Sequence, residues 1–153
     1  MQTSKSHPTY NDIHAACLDI AVQSRIRCVK FDVIIGVSRG GLIPATILSH
    51  RLSVPLIPIS YSAISGKGDD RNHDNILPIV DSKSILIVDD ICDSGYTLRE
   101  LVDHYSNENT IVYTAVTHFK LLDNPIIIPD FYWVSVSEET DGWIHFPWEW
   151  TDE

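Results

Sequence analysis

Apolar residues in this chain fall into short β-rich runs that alternate with helically spaced stretches. The runs predict strands at 31–37, 56–59, 76–80, 85–88, 110–117 and 130–136. The spacing between them predicts helices at about 11–24, 42–52 and 97–105. Strands that alternate with helices are typical of an α/β domain, so we expect a mostly parallel, twisted sheet of about five strands flanked by helices.

The polar positions mark the ends of these elements. Asn11 is the expected N-cap of the first helix, because it precedes the first periodic apolar residue. Residues 62–75 show no apolar periodicity, and a polar loop of this length in a compact domain is commonly a lid. We expect residues 1–153 to form a single domain, with a loose tail at 1–8 and a flexible lid at 62–75.

The stretch 84–97 joins a strand, two acids, a loop and a helix. The run Ile85–Val88 predicts a strand buried on both faces, and Asp89 and Asp90 close it. Small and hydroxyl-bearing residues fill the loop: Asp93, Ser94, Gly95 and Thr97. Amides of such a loop and of a helix N-terminus suit a phosphate, while paired carboxylates suit ribose hydroxyls or a hydrated Mg²⁺. One place can therefore hold a phosphorylated sugar and its metal.

A second glycine loop follows the first predicted strand. Ser38, Arg39, Gly40 and Gly41 lie between that strand and the next helix. The glycines let backbone amides approach an anion, and Arg39 offers a guanidinium. Alone, the loop could equally be a turn with a surface arginine, but the acidic stretch downstream favours a phosphate site.

Composition narrows the classes of partner. The chain has 153 residues, 44% hydrophobic, with 11 basic and 21 acidic residues and a net charge of −10. An acidic chain without a basic cluster is a poor candidate for non-specific binding of nucleic acid or anionic membranes. The three cysteines form no Cys-x-x-Cys pair, which suits a reducing cytosol, and no apolar run approaches the length of a membrane span. We therefore expect a cytoplasmic protein.

The acid pair has two other interpretations. Asp89 and Asp90 could cap a turn, but capping needs one carboxylate rather than two at the end of a buried strand. Together with Asp93 they also fit the Asp-Asp-x-x-Asp pattern of prenyl diphosphate synthases. In those all-helical proteins the acids lie on a helix, and the β-branched run before Asp89 argues against that.

Residues 85–97 resemble the motif with which type I phosphoribosyltransferases bind phosphoribosyl diphosphate (PRPP). That motif is an apolar run, two acids, two variable residues and Asp-Thr-Gly-x-Thr. Here Ser94 replaces the threonine and keeps its hydroxyl, and Tyr96 stands where a small residue is common. The resemblance implies Mg²⁺ ligands at Asp89 and Asp90. It implies the PRPP-binding residues Ser38, Arg39, Gly40, Gly41, Asp89, Asp90, Asp93, Ser94, Gly95, Tyr96 and Thr97.

Other matches resemble the bacterial xanthine-guanine phosphoribosyltransferases most closely. Residues 37–44 resemble their pyrophosphate loop, and Ser60 and Tyr61 match the pair that begins the family's lid. Lys120 falls where the family has a lysine that donates to O6 of a 6-oxopurine. The tail 137–153 resembles the family's purine-pocket and hood segment, with Glu149 in place of an aspartate. The implied purine-binding residues are Lys120, Trp143, Ile144 and Glu149.

The function implied by this resemblance is purine salvage. A Mg²⁺-dependent enzyme would transfer phosphoribosyl from PRPP to guanine, xanthine or hypoxanthine and release pyrophosphate. Asp93 would be catalytic, as the general base at the purine N7. The family and the aromatic tail also imply a homodimer or homotetramer, with no nucleic-acid partner and no membrane insertion.

Two other functions stay open on the sequence alone. A phosphoribosyltransferase for uracil, orotate or adenine would share the PRPP motif, but the Trp-Ile tail counts against it. A PRPP-binding regulator with the same fold and little catalysis is the other. The net charge of −10 argues against an RNA-binding regulator, and the presence of Arg39, Asp93 and Lys120 favours an active enzyme.

Overall fold

Five parallel strands form the centre of the computed structural model, which describes residues 6–61, 63 and 77–149. The elements are α1 (Tyr10–Ile26), β1 (Val33–Ser38), α2 (Leu42–Leu52), β2 (Leu56–Ser60), β3 (Ser84–Cys92), α3 (Tyr96–Tyr105), β4 (Ile111–Lys120), β5 (Phe131–Val136) and α4 (Glu138–Asp141). The strand order is β2-β1-β3-β4-β5, and every pairing is parallel. The predicted fold class is confirmed.

The apolar core lies in two layers, one on each face of the sheet. On one face, Ile13 of α1 and Leu48 of α2 share an apolar cluster with Leu86 of β3. On the other face, Leu98 of α3 shares a cluster with Ile87 of β3. The middle of β3 is therefore covered from both sides, as its unbroken apolar run predicts.

The regular alternation of side chains between the two faces of the sheet is interrupted at the same level in β3 and β4. Val88 belongs to the α1–α2 layer, yet Cys92, four residues later, belongs to the α3 layer. In β4, Val116 and Phe119 both belong to the α3 layer, although Phe119 is three positions further along the strand. The offset between paired residues stays constant, so the two strands shift together beside Asp89–Asp90. These acids lie inside β3, which corrects the prediction that they follow it.

One predicted strand is wrong in the part of the chain that can be described. Residues 77–80 of the predicted strand 76–80 form no ladder, and residue 76 lies outside the described residues. Pro78 has no N–H to donate to a neighbouring strand. Its carbonyl instead accepts a hydrogen bond of 3.2 Å from the hydroxyl of Tyr105, while Leu77 and Val80 pack against the α3 layer.

The end of the predicted loose tail is held in place. The carbonyl of Ser6 accepts a 2.8 Å hydrogen bond from the amide of His145, the His7 and His145 rings stack at 4.9 Å, and Pro8 is buried. Residues 6–8 therefore pair with the C-terminal segment, which corrects that part of the prediction. Residues 1–5 and the predicted lid at 62–75, apart from residue 63, lie outside the described residues.

The N-cap of α1 is Thr9 rather than the predicted Asn11. The Thr9 hydroxyl oxygen accepts from the Asp12 amide at 3.2 Å, and the Asp12 carboxylate accepts from the Thr9 amide at 2.7 Å. This reciprocal pair is a capping box with Asp in the third helical position. Asn11 already lies in the first turn and is exposed, so it has no capping role.

We predict that Thr9→Ala lowers the free energy of unfolding by about 1 kcal/mol, because it removes the acceptor that caps α1. Asn11→Ala is the matched control and should change it by less than about 0.5 kcal/mol. Urea unfolding of the two variants measures both values. Equal losses in the two variants, or a larger loss for Asn11→Ala, would contradict this assignment of the cap.

Candidate active site

The carboxyl ends of β1 and β3 mark the place where an open parallel sheet forms a crevice. The chain leaves β1 toward β2 on one side and continues from β3 to β4 and β5 on the other, so the strand order reverses between β1 and β3. Open α/β sheets bind ligands at such a reversal point, outside the strand carboxyl ends. The two loops predicted to bind phosphates, 38–41 and 93–97, follow these two strands.

Two glycines let the loop after β1 lie against the acids of β3. A Cβ on Gly40 would overlap the carboxylate of Asp90, and a Cβ on Gly41 would lie 2.5 Å from the Val37 carbonyl oxygen and 2.7 Å from that of Val88. Any larger residue at Gly41 would therefore collide with backbone. The peptide bond between Ser38 and Arg39 in the same loop is cis.

Asp89 and Asp90 are partly buried side by side. The Asp90 amide donates to one Asp89 carboxylate oxygen, and the Ile91 amide donates to one Asp90 oxygen, both at 2.8 Å. Burial, and then repulsion from Asp90, raises the pKa of the Asp89 carboxyl well above its usual range, and burial raises the pKa of Asp90 as well. A cation or a set of hydroxyl donors would stabilise both charges.

The acid pair suits Mg²⁺ in chemistry and in number of ligands. Mg²⁺ takes oxygen ligands and is usually held by one or two carboxylates together with waters and substrate phosphates. Among residues 6–61, 63 and 77–149, no group of three or more His, Cys, Asp and Glu side chains could hold a metal ion. A metal at Asp89 and Asp90 would therefore complete its shell with waters and substrate oxygens.

The loop after β3 leads into α3 through Gly95. This glycine has φ of +87°, a left-handed conformation that favours glycine, and a Cβ there would lie 2.9 Å from Ile127. It precedes the first residue of α3, and no side chain caps the helix. The amides of the first turn are therefore available to an anion, at the position where the sequence predicts a phosphate.

A second recess opens beside the crevice, at the carboxyl ends of β3, β4 and β5. It is an open pocket of about 480 Å³, including the solvent at its mouth. Its lining residues are Ile91, Asp93, Lys120, Val136, Glu138, Gly142, Trp143, Ile144, Phe146 and Glu149. All four residues that the sequence assigned to the purine, as well as the predicted general base, line this one pocket.

Lys120 lies between two carboxylates in this pocket. Its ammonium contacts Asp93 Oδ1 at 3.0 Å and Glu138 Oε2 at 2.9 Å. The pKa of the Lys120 ammonium is raised, first by its hydrogen bond to Glu138 and then by its hydrogen bond to Asp93. The lysine therefore stays charged through neutral pH and is held at the pocket wall. Sequence reasoning missed Glu138, although the acids at 138–141 directly follow the last strand.

In the aromatic C-terminal segment 143–148, some side chains line the pocket and others are buried in the core. Trp143 is 67% exposed and lines the pocket, so its ring can stack on a planar base, whereas Ile144 and Phe146 are buried beneath it. Phe146 stacks on Trp148 at 4.8 Å between ring centroids. The Glu149 carboxylate accepts a 3.1 Å hydrogen bond from the Phe146 amide, which closes the turn at the pocket edge.

The pair predicted to begin the lid lies at the far side of the crevice. Ser60 ends β2 and is exposed, and it pairs in register with Ser38 of β1. The Tyr61 hydroxyl donates a 2.7 Å hydrogen bond to Glu100 of α3. Burial, and then this bond, raises the pKa of Tyr61 to about 12. The start of the predicted lid is thus fastened to the helix that follows the phosphate loop.

A family model described as the phosphoribosyl transferase domain matches residues 9–153. This chain belongs to the phosphoribosyltransferase family. The family predicted from the motifs at 85–97 and in the tail is therefore confirmed. No helix among the residues that can be described has both the length and the apolar character to cross a membrane.

Individual proteins of known sequence or structure resemble the chain over most of its length. The xanthine-guanine phosphoribosyltransferase of Idiomarina loihiensis is 27% identical, over 92% of this chain and 84% of its own. The crystal structure of a purine phosphoribosyltransferase from Pyrococcus horikoshii is 31% identical with a TM-score of 0.75, covering 99% and 98%. A hypothetical protein from Neisseria gonorrhoeae with bound ppGpp is 27% identical with a TM-score of 0.73, covering 99% and 93%.

We predict that Gly40→Ala weakens PRPP binding at least about tenfold while the fold survives. The added Cβ would meet the movable carboxylate of Asp90 rather than backbone, so the substitution displaces that carboxylate. Isothermal titration with PRPP and Mg²⁺ measures the affinity, and the melting temperature checks the fold.

The control is a double-mutant cycle with Asp90→Ala. If Gly40→Ala acts through the carboxylate, it should add almost nothing once that carboxylate is gone. Additive losses in the double variant, or an unchanged affinity in Gly40→Ala alone, would contradict the contact.

Proposed function

We propose that this protein transfers the phosphoribosyl group of PRPP to a 6-oxopurine, giving the nucleoside 5′-monophosphate and pyrophosphate. The observation that carries the proposal is the meeting of two sites at one sheet edge. A crevice with two anion-binding loops and an acid pair adjoins a pocket walled by Lys120 and Trp143. Family membership and the named relatives support the same reaction.

The chain's own residues divide the work of holding PRPP. The amides and hydroxyls of residues 93–97 bind the 5′-phosphate at the start of α3. Asp89 and Asp90 accept from the ribose hydroxyls, and the loop 38–41 binds the leaving pyrophosphate with Arg39 as a cation. Such fixed charges matter most where charge develops in the transition state, here on the departing pyrophosphate.

Asp89 and Asp90 would also hold Mg²⁺, for which their chemistry fits. Bound there, the metal would supply charge neutralisation for the pyrophosphate. The residues of the pocket orient the base: Trp143 stacks on it, and Ile144 and Phe146 close the apolar floor. A base held over the crevice is presented to the ribose carbon in the orientation that the reaction needs.

Asp93 and Lys120 face the reacting side of the base. Asp93 accepts the N7 proton as the general base, and its second oxygen stays paired with Lys120. Lys120 donates to O6 of the base. It also has Asp93 and Glu138 as partners, so a bound adenine would not leave the lysine unpaired. Adenine is disfavoured instead because its 6-amino group would point donor to donor at a fixed ammonium.

We further propose that the protein is cytoplasmic, because its cysteines are free thiols. We also propose that it assembles as a homodimer or homotetramer, as the family resemblance suggests. The single-domain organisation proposed for residues 1–153 fits a fold in which one sheet carries both sites. A PRPP-binding regulator with little catalysis is the alternative. The ppGpp bound by the Neisseria neighbour is the observation that keeps it open, since ppGpp is a guanine nucleotide rich in phosphates.

A pyrophosphate-release assay with PRPP, Mg²⁺ and single bases tests the reaction. We expect turnover with one or more of guanine, hypoxanthine and xanthine, and none with adenine or uracil. Lys120→Ala should lose much of the preference for 6-oxopurines over adenine. Lys83→Ala should keep it, since Lys83 is an exposed lysine just before β3, at the end of the strand opposite the pocket. An unchanged preference in Lys120→Ala would contradict the role of this lysine, and PRPP binding without turnover would favour the regulator.

Asp93→Asn should lower kcat about a hundredfold or more, because the amide cannot accept the N7 proton although it can still bond Lys120. PRPP affinity, measured by titration, should stay within about threefold of the wild-type value, since phosphate binding rests mainly on backbone amides. The matched control is Asp103→Asn, because Asp103 is a surface acid on α3 that is ion-paired with Arg99 of the same helix. Near-normal turnover by Asp93→Asn would rule out the general-base assignment.

A further inference from the structure

The described lining of the base pocket carries more negative than positive charge. Among its described lining residues, three carboxylates, those of Asp93, Glu138 and Glu149, accompany a single ammonium, that of Lys120. The three acids and the lysine come from four separate elements: the loop after β3, the end of β4, α4 and the C-terminal segment. The ammonium is already in contact with two of the carboxylates, so little positive charge is left to receive an anion.

The three acids differ in what they can offer a base. Asp93 faces N7 in the proposed reaction, and the Glu149 carboxylate accepts from the Phe146 amide. Glu138 lies on the rim with its side chain 74% exposed, and it uses Oε2 for Lys120. Its carboxylate can therefore meet a further hydrogen-bond donor on the base edge that continues from O6 toward the 2-position.

The 6-oxopurines differ in what they present at that edge. Guanine carries a 2-amino group, a donor, and is neutral at neutral pH, while hypoxanthine has only hydrogen there. Xanthine carries a second carbonyl oxygen and loses a proton near neutral pH, so part of it would enter the pocket as an anion. An acceptor carboxylate favours an amino donor and disfavours both a carbonyl oxygen and a negative charge.

We propose that Glu138 is a specificity-determining residue that makes this pocket select the neutral, 2-amino-bearing guanine over xanthine. The inference rests on the proposed transfer to 6-oxopurines and deepens it. The carboxylate acts twice: it accepts from the 2-amino group, and with Asp93 it offsets the charge of Lys120 that an anionic base would otherwise use.

The experiment compares kcat/KM for guanine, hypoxanthine and xanthine in the full-length protein, in Glu138→Gln and in Glu139→Gln. Glu139 is the matched control, since it is the next residue on α4, is exposed, and is not among the pocket-lining residues. Glu138→Asp, which keeps the charge, tests for rescue. Each assay is run from about pH 6 to about pH 9, so that xanthine is mostly neutral at the lower pH and mostly anionic at the higher pH.

We expect wild type to prefer guanine over xanthine, increasingly so as pH rises and the xanthine anion accumulates. Glu138→Gln should lower the ratio of kcat/KM for guanine to kcat/KM for xanthine about fivefold, the size of effect that one exposed charge can exert. The change should be mainly in KM, because binding rather than proton transfer is altered. Glu139→Gln should leave the ratio at its wild-type value, and Glu138→Asp should restore most of it.

Two outcomes would overturn the inference while leaving the proposed reaction intact. One is a wild-type protein that uses xanthine as well as guanine at every pH. The other is a ratio that shifts equally in Glu138→Gln and Glu139→Gln. Absence of turnover with every 6-oxopurine would instead overturn the proposed function itself, and this inference with it.

Discussion

The site depends on the close contact between the loop after β1 and the acids inside β3. That contact exists because Gly40 and Gly41 have no side chains: one leaves room for the Asp90 carboxylate, and the other for the carbonyls of two neighbouring strands. The cost is the burial of two adjacent carboxylates, whose pKa values rise as a result. A site built this way is poised for a ligand that brings hydroxyl donors and a cation.

The same sheet edge also provides the base pocket. At the level of the acids, β3 and β4 change the phase of their side chains together, and both strands continue beyond that level. Their extensions carry Asp93 just past β3 and Lys120 at the end of β4, where the two meet at 3.0 Å. Since parallel strands end at one edge, the two glycine loops and the pocket around Lys120 become neighbours.

Much of this architecture could be predicted from local sequence. The apolar runs predicted the sheet, and the glycine loops and the acid pair predicted where the candidate site lies, because those features act through residues adjacent in the chain. Contacts between distant segments were missed. Glu138 beside Lys120, Ser6 against His145 and the absence of a strand at 77–80 depend on packing that a single sequence does not reveal. The Thr9 cap was missed despite its visible Thr-x-x-Asp signal.

The central claim is that the β1–β3 crevice holds PRPP. A crystal structure with PRPP and Mg²⁺ tests it most directly. We expect the 5′-phosphate at residues 93–97, the diphosphate along residues 38–41, and the ribose hydroxyls at Asp89 and Asp90. PRPP bound elsewhere on the protein, or a crevice that stays empty of ligand at saturating PRPP, would contradict it.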